Sequence, residues 1–339
     1  RDIYNLVLDR YGSEASLDAE PDVDNSAFIE WLRSQGFDVV DDAYANYTKT
    51  TMSLGSTLGM RPVDDIASEL GPASENLAPV VRRIRRSRAG EFLQDQGYEY
   101  VHIGSWFDQT RDSRIADRSY SPETEVNFGT TLYDQTVLPA LVARPPRAEE
   151  SKRRHGDAAE YQMDLVEALV EESGPRPKYV LAHILLPHAP YVFLEDGTFD
   201  IEQATYETQL AFLNGWLQDF IGPLLELPVE ERPIIILQGD EGPYPQGFKE
   251  DQDGFDWAEA SDDEILTKFG ILNAMYLPGP EGEPPLREGL TAVNTYPEVF
   301  ARYFGADFPQ RPDTVLASSR SRPYDLLDIT ERLEAAETR

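Results

Sequence analysis

Residues 3–12, Ile-Tyr-Asn-Leu-Val-Leu-Asp-Arg-Tyr-Gly, are the stretch on which the fold turns. The run Ile3 to Leu8 stops at a carboxylate and then a glycine, which reads as a core strand buried on both faces. Four further runs have the same character: Tyr98–Gly104, Tyr179–Leu186, Ile234–Leu237 and Phe269–Leu277. Amphipathic stretches lie between them, and Asn25–Gln35, Asp157–Glu172 and Glu202–Leu227 read as helices. Asp24 or Asn25 can cap the first, and Gly36 stands where a helix stops. Buried strands alternating with helices predict an α/β fold with a mainly parallel central sheet. In such sheets the chemistry gathers beyond the carboxyl ends of the strands.

Composition narrows the possibilities. The chain has 339 residues, 62 acidic against 30 basic, a net charge of −32, 40% hydrophobic residues and no cysteine. That is enough apolar material for a large core. We expect one domain over residues 1–339, with an exposed connection near 144–156 and an acidic insertion near 249–264. Lack of cysteine excludes disulfides, thiolate metal sites and a cysteine nucleophile. The negative field repels a phosphate backbone, so nucleic acid is not expected as a partner. No stretch approaches 18 consecutive apolar residues, so a membrane is met only through a segment absent from this chain. A core strand beginning at residue 3 leads us to expect such a tether upstream. Asp251, Asp253 and Asp256 suggest a calcium loop, but Gly254 is misplaced for one, and a solvated surface insertion is expected instead. No solenoid-like repeat is present.

Three strand ends deliver chemistry to one edge of the sheet. The first ends in Asp9 and Arg10, another in Gln238-Gly239-Asp240-Glu241-Gly242-Pro243, and a third carries His183 and leads into Pro187-His188-Ala189-Pro190-Tyr191. Carboxylates grouped at strand ends suit a hard divalent cation. Taken singly, each Asp is as well explained as a turn former or helix cap. His188 lies between two prolines that stiffen its backbone.

These residues resemble the alkaline phosphatase superfamily, in its sulfatase-like branch that includes lipoteichoic-acid synthase and related membrane-anchored phosphotransferases. The likeness rests on residues 8–12, on Asn-Tyr-Thr-Lys-Thr-Thr-Met-Ser-Leu-Gly-Ser-Thr-Leu at 46–58, on His-Ile-Leu-Leu-Pro-His-Ala-Pro-Tyr at 183–191, on 238–243, and on 269–278. It implies an alkaline-phosphatase-like three-layer sandwich. Lys49-Thr50 resembles the synthases' Lys-Thr, which makes Thr50 the implied nucleophile and a metal ligand at a helix N-terminus; Thr48 and Thr51 compete for the role. Asp9, Asp240 and Glu241 are the other implied ligands of one divalent cation, manganese, magnesium or calcium. Glu241 departs from the family's usual Asp-His-Gly, and the carboxylate hardens the site. His188 resembles the family's substrate-side His, and Arg10, Lys49 and His183 are placed around the substrate. No Cys/Ser-x-Pro-x-Arg motif occurs, so a formylglycine sulfatase is not expected. The resemblance therefore implies a metal-dependent phosphoesterase or phosphotransferase outside the cytoplasm, the ectodomain of a membrane-anchored protein. Its substrate would be a phosphate ester, with lipid- or polymer-linked esters among the options. The alternative is an inactive ectodomain that binds or scaffolds.

Overall fold

Alternation within the opening strand sets the layering. In the computed structural model, which describes residues 1–18, 23–122, 147–279 and 285–337, strand β1 (Ile3–Leu8) turns Tyr4, Leu6 and Leu8 to one side and Ile3 and Val7 to the other. Both sides are buried, as the continuous apolar run requires. β1 lies in the middle of a seven-stranded sheet with β2 (Asp38–Val39), β3 (Glu99–Ile103), β4 (Arg118–Tyr120), β5 (Lys178–Ile184), β6 (Ile234–Gly239) and β7 (Asn273–Tyr276). The order is β2-β7-β6-β1-β5-β3-β4. β6, β1, β5, β3 and β4 run parallel, and β7 pairs antiparallel with β6 and β2.

Helices Ser26–Ser34, Arg147–Glu171 and Tyr206–Glu226 cover the Leu6 face; Thr50–Gly59, Ala78–Arg85, Arg88–Asp95 and Thr295–Phe304 cover the Val7 face. The result is the three-layer α/β sandwich. Each fully buried Leu or Ile contributes about 2 kcal/mol, and trimming one such as Leu6 to Ala costs roughly 2–5 kcal/mol.

Some expected elements differ. The run at 269–277 is split: Ser261 and Glu264 form a reciprocal capping box that starts a helix over Asp262–Phe269, so the strand begins only at Asn273. Of the exposed connection expected at 144–156, residues 144–146 lie outside the described residues, and from Arg147 onward the chain is helical, with His155 buried. The acidic insertion is not merely solvated. Its Trp257 and Ala260, with Phe248 just before it, are buried in one cluster with Phe269, Val315 and Ile329. Asp251 and Asp256 accept from backbone amides two or three residues ahead, as turn formers do. Among the described residues, no helix is long and apolar enough to cross a membrane.

Candidate active site

Strand register brings the first two acids together. Leu8 pairs with Gly239 on one side and Ile184 on the other, so Asp9 and Asp240 leave adjacent parallel strands side by side, with His183 opposite Val7. The turn after β1 is fixed tightly. Asp9 N donates to Ile184 O at 3.0 Å, and Arg10 N donates to Asp240 Oδ1 at 3.1 Å. Arg10 takes a left-handed conformation, φ 63°, which a non-glycine residue adopts only where its surroundings hold it.

Asp9, His183 and Asp240 each offer a ligand atom, and these atoms all lie within 4.8 Å of one another. Asp9 Oδ1, Asp240 Oδ2 and His183 Nε2 are buried and have no hydrogen-bond partner. Asp9 Oδ2 lies 3.4 Å from His183 Nε2 and Asp9 Oδ1 4.0 Å from Arg10 Nε, and buried polar atoms are normally satisfied, so the three convergent atoms form a donor set that a cation would satisfy. His183 is oriented for that task. Its Nδ1 lies 2.8 Å from Thr110 Oγ1, and that hydroxyl donates to Phe107 O at 3.3 Å. With that hydroxyl accepting from Nδ1–H, the Nε2 lone pair would be turned to a cation. Two carboxylates and an imidazole suit manganese or magnesium, and zinc also accepts such a set.

Electrostatics agree. Burial works to raise both carboxyls. At Asp9 the neighbouring His188, a hydrogen bond with His183 and the Arg10 guanidinium outweigh burial and hold it below the usual carboxylate range once the imidazoles are protonated. Asp240, buried and facing Asp9 and Glu241, is pushed well up. A cation between them would ionise both.

Glu241 is engaged elsewhere. Its Oε2 lies 2.9 Å from Lys268 Nζ and accepts from Thr50 N at 3.1 Å, while its Oε1 accepts from Arg10 Nε at 3.3 Å. The structure thus groups His183, rather than Glu241, with the two aspartates. Tyr244 lies against both cations, 3.6 Å from Arg10 Cζ and 4.2 Å from Lys268 Nζ to the ring centre. Gly242 makes the docking possible, since a Cβ there would collide with the carbonyls of Thr267 and Gly270.

Thr50 begins the helix Thr50–Gly59, after Lys49 in extended conformation. Its hydroxyl faces Asp240, and its amide is held by Glu241. Asp9, Thr50, Lys49 and His188 open onto one cleft of 440 Å³, walled by Trp106 and Phe107. Of the competing threonines, Thr51 also lines the cleft, whereas Thr48 is fully buried and accepts from Ser318 N at 2.8 Å. Lys49 Nζ donates to Arg320 O. His188 Nδ1 contacts its neighbour's carbonyl, Ala189 O; a carbonyl only accepts, so Nδ1 carries the proton and Nε2 is free to accept. Burial lowers the His188 pKa, against the pull of Asp9 and Glu241, and favours this neutral form.

Lys268, Trp106, His155 and Arg320 did not stand out in the sequence. Lys268 left a trace, because it replaces an apolar residue in the buried stripe Ile265, Lys268, Phe269 of a chain with few lysines. His155, which accepts from Trp106 Nε1 at 3.1 Å behind His188, left none.

No family model and no curated protein matches the sequence. Solved structures do. A protein in the alkaline phosphatase superfamily from Vibrio parahaemolyticus is similar at 14% identity, covering 94% of this chain and 73% of that one, with a TM-score of 0.57. A candidate sulfatase from Bacteroides thetaiotaomicron is similar at 13% identity, covering 96% and 74%, with a TM-score of 0.56. The C-terminal periplasmic domain of the phosphoethanolamine transferase EptC from Campylobacter jejuni is similar at 12% identity, covering 89% of each chain, with a TM-score of 0.50. The chain therefore has the alkaline-phosphatase-like α/β fold.

Proposed function

We propose that the chain transfers or hydrolyses a phosphoryl group of a phosphate ester, with Thr50 as nucleophile and one divalent cation held by Asp9, Asp240 and His183. The observation that carries this reading is the convergence of three orphaned, buried ligand atoms on the strand ends beside Thr50. A bound cation supplies positive charge that lowers the pKa of a nearby hydroxyl and offsets charge on the reacting group.

The chain's own residues do the rest. Glu241 holds the Thr50 amide and so fixes where the hydroxyl stands. Thr50 Oγ forms a bond to phosphorus as the bond to the leaving alcohol breaks. His188, neutral at rest with Nε2 free, accepts a proton during activation and returns it to the departing oxygen. Trp106 and Phe107 wall the cleft against water on one side. Water or an acceptor hydroxyl then releases the phosphoryl group. We place the protein outside the cytoplasm, as the periplasmic domain of EptC is, with the ester attached to a lipid or an envelope polymer among the candidates.

The second reading, a scaffold without chemistry, draws on Glu241 being tied to Lys268 and Arg10. Two measurements separate them. Metal analysis of the protein equilibrated with manganese should give one tightly bound ion, absent from Asp240→Asn. Mass spectrometry after incubation with bis(4-nitrophenyl) phosphate should show an adduct on the peptide carrying Thr50. No bound ion and no adduct would establish the scaffold.

A further inference from the structure

The mouth of the cleft carries a cation that the chemistry above does not use. Arg320 lines the cleft with Asp9, Thr50 and His188, although it comes from a segment far along the chain. The backbone around it is fixed at several points. Ser318 N donates to Thr48 Oγ1 at 2.8 Å, and Ser318 O accepts from Trp257 Nε1 at 3.3 Å. Arg320 N donates to Gln252 O at 3.1 Å, Ser321 N donates to Asp253 Oδ1 at 2.6 Å, and Arg320 O accepts from Lys49 Nζ. This segment and the acidic insertion are thereby stitched together at the mouth.

The side chain held up by this framework is unspent. Among the described residues, the Arg320 guanidinium makes no hydrogen bond or ion pair, in a chain with 62 acidic residues. Asp253 is the carboxylate that feels both Arg320 and Lys49, but it ion-pairs with neither and is occupied by the Ser321 amide. Arg10, further in, is already bound to Glu241. Lys49 also feels Glu241 and Glu75, so the cation left without a partner at the mouth is Arg320, on a molecule whose net charge of −32 repels anions elsewhere.

We propose that Arg320, with Lys49, forms a second anion subsite, so that the substrate is an ester carrying, beyond its reacting phosphoryl group, a further carboxylate, sulfate or phosphoryl group. The inference rests on the phosphoryl-transfer reading. A planar guanidinium pairs with such a group through two parallel hydrogen bonds, and the ammonium adds charge. A cleft of 440 Å³ accommodates a small bifunctional ester, with Trp106, Phe107 and Phe248 available to its apolar stem.

The test compares inert probes by calorimetry on the manganese-loaded protein: propylphosphonate, with one anionic group, and 3-phosphonopropionate and propane-1,3-diphosphonate, with two. The expected result is that the two-headed probes bind about five- to tenfold more tightly than propylphosphonate, and that this ratio falls to near one in Arg320→Gln. Whichever two-headed probe binds better identifies the second group as carboxylate or phosphoryl, and either ranking supports the subsite. Arg320→Lys should keep part of the ratio, and an unchanged melting temperature shows that either variant is folded. Equal binding of all three probes, or a ratio that survives Arg320→Gln, overturns the subsite and leaves the phosphoryl-transfer reading standing. Failure of every probe to bind overturns both.

Discussion

Lys268 Nζ and Glu241 Oε2 meet at 2.9 Å, with both side chains sealed from solvent. In a buried pair each charge exists on the condition that the other does. Burial alone lowers the Lys268 pKa, and the Glu241 carboxylate opposes that. The pair also anchors the Thr50 amide and the Arg10 side chain, so it sets the geometry of the strand edge from behind.

Lys268→Met should therefore destabilise the fold by about 3–5 kcal/mol, the usual cost of stranding one member of a buried ion pair. Urea denaturation measures it. The double variant Glu241→Gln/Lys268→Met should recover part of the loss, because the Glu241–Lys268 pair is then removed whole, although Arg10 loses its Glu241 partner. If the double variant is no better than the single one, the loss comes from packing around Lys268.

Manganese at about a hundred times its dissociation constant should raise the melting temperature by roughly 5 °C, since a ligand bound only to the folded state stabilises it by about 2.7 kcal/mol at that excess. His183→Ala should abolish the rise, and Glu241→Gln should keep it. The opposite ranking in thermal melts would return Glu241 to the ligand set and remove His183.

Thr50→Ala should lower phosphodiester cleavage by at least about a thousandfold, while Thr50→Ser keeps a measurable fraction of it. Both variants retain the backbone amide that Glu241 holds, so their circular dichroism and melting should match the parent. Residual activity in Thr50→Ala within tenfold of the parent would transfer the role to Thr51, which lines the same cleft.

Stability should fall with acid through His102. Burial moves its pKa from 6.5 down to about 4, although its Nε2–H donates to Thr110 O at 2.8 Å. Between those values the unfolded chain binds a proton that the native chain refuses. The contribution is thus full above pH 6.5 and drains as pH falls towards 4, by at most about 3 kcal/mol. His102→Asn should flatten that part of the pH dependence in urea melts. A variant with the parent's slope would show that other groups cause it.

Much of this site was readable because strand ends are readable. Ile3–Leu8 and Ile234–Leu237 are apolar runs that stop at acids, and a parallel sheet places such stops along one edge, so pattern put Asp9 and Asp240 on one edge and the resemblance implied that they meet. His183 was visible as a residue but not as a neighbour of Asp9, because its place depends on the register of β5 against β1 and on Thr110, more than seventy positions away. The engagement of Glu241 was hidden for a similar reason: Lys268 reaches it through a helix that begins at a capping box inside what looked like a solvated insertion. The helix that starts at Thr50 was expected only through the resemblance, since Gly55 and Gly59 interrupt its periodicity while packing closely against Val80 and Arg83, and the helix Arg88–Asp95, whose Gly90 packs on Tyr100, went unread.

The joining of Ser318–Ser321 to Thr48, Trp257 and Asp253 has a consequence for biosynthesis. On a ribosome, the sheet and all three ligand-bearing strands emerge before those residues do. A nascent chain can thus assemble its inner chemistry while its entrance is still unfinished, and discrimination between esters would arrive only once Ser318–Ser321 has followed.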